Sequence, residues 1–362
     1  MSNITTTVWP IEPHTQAKHE ILKRYLQAWL PIMSNSNGRI LYIDGFAGPG
    51  EYSKGEPGSP VIAIKTAKEH KLKLNAKIVF RFIEAREDRC KHLKEILRHI
   101  DLPDNMKYKV DCSKFDKSLT SLFDYLDEQK KHIAPTFAFV DPFGYSDTPF
   151  LIIKRIMENK KCEVLITFMS GFINWLLSDQ RKEDHFDSLF GTTKWREIIS
   201  SNESEERREK KLVTLYQNQL ETDGNFVRSF EMKNKSNRTI YHLIFCTHNR
   251  KGRKEMKRAM WKVDETGRFL FSDRTDPDQT VLFKHEPDYR QLKKLIVDEF
   301  KGKEVPIEEI EEFVDNTGFL DTHFKTPILK PMELEANPPE IRVVKSKRNR
   351  KGAYPKGTII GF

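Results

Sequence analysis

The sequence predicts an α/β fold: a mainly parallel, doubly wound sheet with a small separate domain at the C-terminal end. Three observations carry this. Short apolar β-rich runs alternate with helical stretches between residues 39 and 168, a glycine-rich turn closes the first of those runs, and the pattern changes after about residue 285.

The first element is a helix within "WPIEPHTQAKHEILKRYLQAWLPIM". Pro13 and Thr15 introduce it, and Ile21, Leu22, Tyr25, Leu26 and Trp29 fall on one face. Its opening turn carries His14, Thr15, Lys18 and His19, polar groups at a helix start that suit an anionic carboxylate or phosphate. His14 and His19 lack the i, i+4 spacing of metal ligands, so no metal is expected.

Strands are expected at 39–43, 77–83, 107–110, 136–140 and 163–168, with helices near 59–70, 86–99, 114–130 and 148–159 between them. Residues 170–224 are helix-rich and highly charged, with Trp175 and Trp195 as apolar anchors, and read as an insertion. Runs at 226–232 and 239–247, joined by "KNKSNR", read as an antiparallel pair closing a sheet edge. "MKRAMWKVDETGRFLFSD" places Met256, Met260 and Trp261 on a helix before a turn at Gly267. The first domain is expected to span 1–285. Residues 286–362 then offer three helices and two short β runs, "EIRVV" and "GTIIGF", the pattern of a winged helix-turn-helix.

Composition narrows the partners. The formal net charge is +9, and residues 341–362 hold seven basic residues and no acid. Lys345, Lys347, Arg348, Arg350 and Lys351 are therefore candidates for contacting a polyanion such as DNA or RNA. No stretch is apolar enough to span a membrane, and "MSNITTTVWP" has no secretory pattern. Cys90, Cys112, Cys162 and Cys246 stand far apart with no CxxC pair, so neither a metal nor a disulfide framework is expected, and a reducing cytoplasm is.

The stretch "YIDGFAGPGEY" carries the chemistry. In a doubly wound sheet, ligands bind beyond the carboxyl ends of the strands at the switch point. Glycines there let backbone N–H groups approach a ligand closely. The run lacks GKS/GKT and fails G-x-G-x-x-G at the third glycine, so neither a P-loop nor a dinucleotide fingerprint fits. What it meets is D-x-F-x-G-x-G, at Asp44, Phe46, Gly48 and Gly50, which resembles motif I of class I S-adenosylmethionine-dependent methyltransferases. Glu84 ends the second strand and could accept from ribose hydroxyls. After the third strand, Asp111 could accept from an adenine amino group, with Cys112 and Phe115 packing the ring. The fourth strand ends in Asp141-Pro142-Phe143-Gly144, a partial match to the (D/N)-P-P-(Y/F/W) of methyltransferases acting on nucleobase amines. Phe143 replaces the second proline and Gly144 the stacking aromatic, leaving Phe143 or Tyr145 as the platform.

As a whole the chain resembles the bacterial three-Cys-motif partner family. The resemblance rests on "WPIEPHTQAKHEILKRYLQAW", "RILYIDGFAGPGEYSKGEPGSP", "PTFAFVDPFGYS", "CEVLITFM" and "MKRAMWKVD". It implies a methyltransferase-like Rossmann domain, often with a C-terminal winged helix, and a radical-SAM-like partner carrying the cysteines. With S-adenosylmethionine as the cofactor that motif I suggests, Lys18 and His19 at the helix start are candidates to lie beside it. Three functions stay open: methylation of a nucleobase amine, a non-catalytic nucleic-acid-binding adaptor, and modification of a protein or small molecule together with the partner.

Overall fold

The computed structural model describes residues 6–144, 147–176, 182–201, 203–221, 225–264, 267–273 and 287–362. Tyr145 and the side chain of Trp175 lie outside them.

The alternation is present from the start of the chain. It runs α1 (Pro13–Ser36), β1 (Arg39–Asp44), α2 (Ser59–Lys68), β2 (Lys77–Glu84), α3 (Glu87–Arg98), β3 (Met106–Cys112), α4 (Phe115–Glu128), β4 (Thr136–Val140), α5 (Phe150–Met157) and β5 (Glu163–Phe168). The expected insertion supplies α6 (Ser170–Leu176), α7 (Glu183–Phe190), α8 (Trp195–Ser200) and α9 (Glu205–Leu220). The antiparallel pair follows as β6 (Phe226–Lys233) and β7 (Thr239–Thr247), then α10 (Arg250–Trp261) and β8 (Leu270–Ser272).

The sheet order is β3-β2-β1-β4-β5-β7-β6-β8. β3, β2, β1, β4 and β5 are parallel, and β7 enters antiparallel between β5 and β6. This is the Rossmann-like sheet of the class I methyltransferase type that the sequence resembles. Its order reverses between β1 and β4, so the crevice above those two strands is the switch point. The central strands β4 (TFAFV) and β5 (EVLITF) are buried at every residue, as helices on both faces require. α1 is held to the sheet by its apolar stripe. Ile21, Leu22, Tyr25, Leu26 and Trp29 are all buried, each worth about 1.5–3 kcal/mol on burial. Midway along the helix the Tyr25 hydroxyl donates to Glu163 Oε2 at 2.5 Å.

The chain divides into two compact units, Met1–Ala259 with Phe271–Pro277, and Met260–Leu270 with Asp278–Phe362. The second unit contains α11 (Tyr289–Phe300), β9 (Glu304–Pro306), α12 (Ile307–Asn316), a π-helical turn (Lys325–Leu329) running into α13 (Lys330–Leu334), β10 (Arg342–Lys345) and β11 (Ile359–Gly361). Its sheet order is β10-β11-β9, antiparallel throughout. β9 is a strand that the sequence pattern did not separate from the helix after it. Leu292, Ile296, Ile310, Val314, Ile328 and Trp261 share this unit's own core. Among the described residues no helix is long and apolar enough to cross a membrane.

Candidate cofactor and acceptor site

Asp44 ends β1 and is fully buried. Its Oδ1 takes a long 3.4 Å bond from the Phe46 amide. Oδ2 accepts no hydrogen bond of good geometry, although the Tyr42 and Ser59 hydroxyls lie beside it. Burial pushes the Asp44 carboxyl up to about 7, Ser59 and the Phe46 amide oppose that, and the nearby Asp141 and Glu84 charges reinforce it. A buried acid without a full set of donors is unstable as an anion, and a cation delivered to it would be bound strongly.

The glycines of the following turn divide the work. Gly48 and Gly50 have φ of +63° and +91°, conformations that side chains resist. A Cβ on Gly50 would come within 2.8 Å of Leu93, and one on Gly45 within 2.6 Å of Phe115. Bare backbone at Gly45 and Gly50 therefore serves packing. Gly48 faces freer space, its hypothetical Cβ meeting only Trp9 at 3.8 Å.

Glu84 ends β2 and is buried. Oε2 accepts from the Gly48 amide at 2.9 Å and Oε1 from the Arg86 amide at 2.8 Å. It ties the glycine turn to the second strand end while keeping lone pairs for further donors. Asp111 sits at the end of β3 but is engaged by Arg81 at 2.6 Å, Lys109 at 2.9 Å and the Ser118 hydroxyl at 2.8 Å. Phe46 stacks on Phe115, with ring centroids 5.4 Å apart.

The expectation of no disulfide is corrected here. Cys112 is joined to Cys90 of α3, with Cα atoms 5.7 Å apart across a sequence separation of 22. Sequence spacing cannot show this, because the pairing depends on α3 packing back beside the end of β3. Cys112 is thus committed to a covalent link next to Glu84, its register partner in the sheet.

At the end of β4, both oxygens of Asp141 lie 2.6 Å from Lys18 Nζ. Lys18 is 5% exposed and also sits 5.0 Å from the Tyr241 ring centroid. Lys18 therefore meets the fourth-strand carboxylate. His19 is 7% exposed. Burial first, then the Lys18 charge, lower its pKa to about 3, so it is neutral. Pro142 is buried and Phe143 is 48% exposed.

The sequence reading passed over Trp9 and Arg89. The Trp9 ring meets Phe143 edge-on at 5.6 Å and Tyr52 at 5.7 Å, while the Arg89 guanidinium lies 4.4 Å from the Trp9 ring and 5.3 Å from that of Phe143. An isolated tryptophan before a helix gives no signal of this in the sequence. His14 also has an unexpected role: its Nδ1 pairs with Asp273 at 3.0 Å and its Nε2 with Glu12 at 3.2 Å. The two carboxylates meet opposite ring nitrogens, and one ligand atom from each of the three lies within 4.8 Å of the others.

In the second unit, Lys345, Lys347, Arg350 and Lys351 are exposed. Arg348 is engaged internally, 2.6 Å from Glu333, which also accepts from the Tyr354 hydroxyl at 2.8 Å.

No protein-family model and no curated protein matches the chain. Among solved structures, a Legionella pneumophila protein of family DUF519 aligns at 12% identity and TM-score 0.39 over 64% of this chain and 85% of that one. Trm1 from Pyrococcus horikoshii, solved with S-adenosyl-L-methionine, aligns at 11% identity and TM-score 0.36 over 99% of this chain and 93% of that one. An O-methyltransferase from Bacillus cereus, solved with SAH, aligns at 14% identity and TM-score 0.35 over 66% and 82%. TM-scores of this size identify neither a ligand nor a reaction.

Proposed function

We propose that the protein binds S-adenosylmethionine at the switch point and methylates an exocyclic amine of a nucleobase. The observation that carries this reading is the pairing of Asp44, buried with an oxygen lacking a full partner, with a Lys18-held Asp141 on the strands that flank that point. The residues fit the cofactor: a buried carboxylate with one oxygen lacking a partner suits an ammonium, and Glu84 retains acceptor capacity for ribose hydroxyls. When bound, the cofactor would supply a methyl group already activated on a sulfonium.

The chain's own contribution is then placement. Asp44 would neutralise the ammonium and Glu84 would orient the ribose. Asp111 could receive the adenine amino group only alongside the donors it already has. Asp141 is held in place by Lys18. It would accept a hydrogen bond from the target amine and aim it, with Pro142 fixing the turn and Phe143 offering a stacking face. In this reading Lys18 and His19 shape the acceptor side of the site.

The second unit supports a nucleic-acid target. Its order of helix, strand, helix, helix and two strands, with β11 between β10 and β9, suits a winged helix-turn-helix. The exposed Lys345, Lys347, Arg350 and Lys351 would meet phosphates. Resemblance to the three-Cys-motif partner family adds a radical-SAM-like protein as a further partner.

A second reading has its own observation. Trp9, Phe143 and Arg89 pack against one another where an acceptor would stack, which favours a non-catalytic adaptor on a methyltransferase-type scaffold. Transfer of labelled methyl from S-adenosylmethionine to a pool of RNA and DNA tests the choice. Transfer that Asp141→Ala abolishes while cofactor binding persists supports the enzyme. Cofactor binding or nucleic-acid binding with no transfer supports the adaptor.

A further inference from the structure

A groove of about 710 Å³ runs between α1 and α2 and ends at the hairpin that follows the glycine turn. Ile11, Pro57, Ile62 and His19 are among its lining residues. His19 is more than nine-tenths buried, and among the described residues its ring nitrogens make no hydrogen bond. It adjoins Lys18, the partner of Asp141, and its ring lies 5.8 Å from that of Tyr52. The groove thus presents apolar side chains and an unpartnered imidazole beside Lys18, the partner of Asp141.

Its lining carries three lysines and three glutamates, Glu20, Glu56 and Glu69, and the lysines continue beyond it. Lys23 on α1, and Lys65 and Lys71 at and beyond the end of α2, line it. Lys68, Lys73 and Lys77 extend the same run, "KTAKEHKLKLNAK", in which Glu69 is the sole acid. Lys65, Lys68, Lys71, Lys73 and Lys77 are exposed, and among the described residues none of these six lysines makes an ion pair. Of the three acids on the groove, Glu20 is paired with Arg24, Glu56 accepts from the Lys54 amide, and Glu69 is exposed among the lysines.

Resting on the nucleic-acid reading above, the geometry points to this groove as a track for a single strand of DNA or RNA that leads its target base to Asp141. Packed helices sit about 8–10 Å apart, which leaves a furrow too narrow for a duplex. A single strand can set a base against the His19 ring and the apolar side chains and its phosphates along the lysines, as single-strand sites combine stacking faces with basic grooves. Gln16 and Gln27, also on the groove, offer amides to base edges.

The test is fluorescence anisotropy on the full chain with a labelled single strand of about 20 nucleotides, as RNA and as DNA, over a salt series. The triple variant K23A/K65A/K71A changes only exposed or rim lysines, and its folding is checked by its melting temperature. Weakening of about tenfold or more, with the salt slope reduced by about 2 for three lost phosphate contacts, is the expected result. If the triple variant binds like the parent while K345A/K347A/R350A/K351A binds less, the groove proposal is overturned and the nucleic-acid reading stands. If the parent protein binds poly-glutamate through these lysines and no nucleic acid, both are overturned in favour of an acidic protein partner. Absence of any salt-sensitive binding also overturns both.

Discussion

Lys18 Nζ sits 2.6 Å from each carboxylate oxygen of Asp141, joining the first turns of α1 to the end of β4 across 123 residues of sequence. With Lys18 buried, this pair orients Asp141. Removing one member leaves a poorly solvated charge. Lys18→Met is expected to cost about 3 kcal/mol in urea unfolding, and the double variant Lys18→Met/Asp141→Asn to recover part of it. Equal losses in the single and double variants would show that the pair is not coupled.

Asp44 makes stability depend on pH in a defined direction. Its pKa is raised from 3.8 to about 7, so the folded protein holds that proton more tightly than the unfolded chain. The resulting stability is complete below the unfolded pKa and is lost as pH rises through 7, a span of about 4 kcal/mol as an upper figure. Asp44→Asn should therefore raise the melting temperature at pH 8 and leave it nearly unchanged at pH 4. A variant that destabilises equally at both values would refute the assignment.

His19 acts at the other end of the scale. Its pKa falls from 6.5 to about 3 in the fold, so its stabilising contribution is present above 6.5 and lost as pH falls towards 3. His19→Gln should flatten the acid limb of the stability profile between pH 6 and 4. An unchanged limb would mean that the ring is hydrated in the folded protein.

The Cys90–Cys112 link closes a loop of sequence separation 22, for which chain entropy gives about 3 kcal/mol. Non-reducing peptide mapping of oxidised protein should recover the linked pair. Cys90→Ser/Cys112→Ser should lower stability by about that amount relative to the oxidised form. Free thiols at both positions in oxidised protein would contradict the structure.

Much of the sheet was legible because its signals are local. Apolar runs such as "TFAFV" and "EVLITF" read as buried strands, and Gly48 and Gly50 marked the turn by residue type alone. The antiparallel 226–232 and 239–247 pair was likewise visible from two β runs and a polar turn. What escaped depends on packing between distant segments. Lys18 was assigned to the cofactor because a helix start invites an anion, yet the anion nearest to it is Asp141. Cys112 looked like a ring-packing residue until α3 brought Cys90 to it. β9 is three residues long and runs straight into α12, too short for a periodic signal. The lysines of 65–77 carry no periodic or motif signal, and only the packing of α1 beside α2 places Lys65 and Lys71 on the wall of a groove.

The central claim is that Asp44 and its glycine turn hold a sulfonium nucleoside, and calorimetric titration of S-adenosylmethionine into wild type and Asp44→Ala measures it directly. One site per chain in the wild type, weakened at least about tenfold by the substitution, is the expected result; a factor of that size is about 1.4 kcal/mol. No binding heat at millimolar ligand, or equal affinity in the two proteins, would contradict the account.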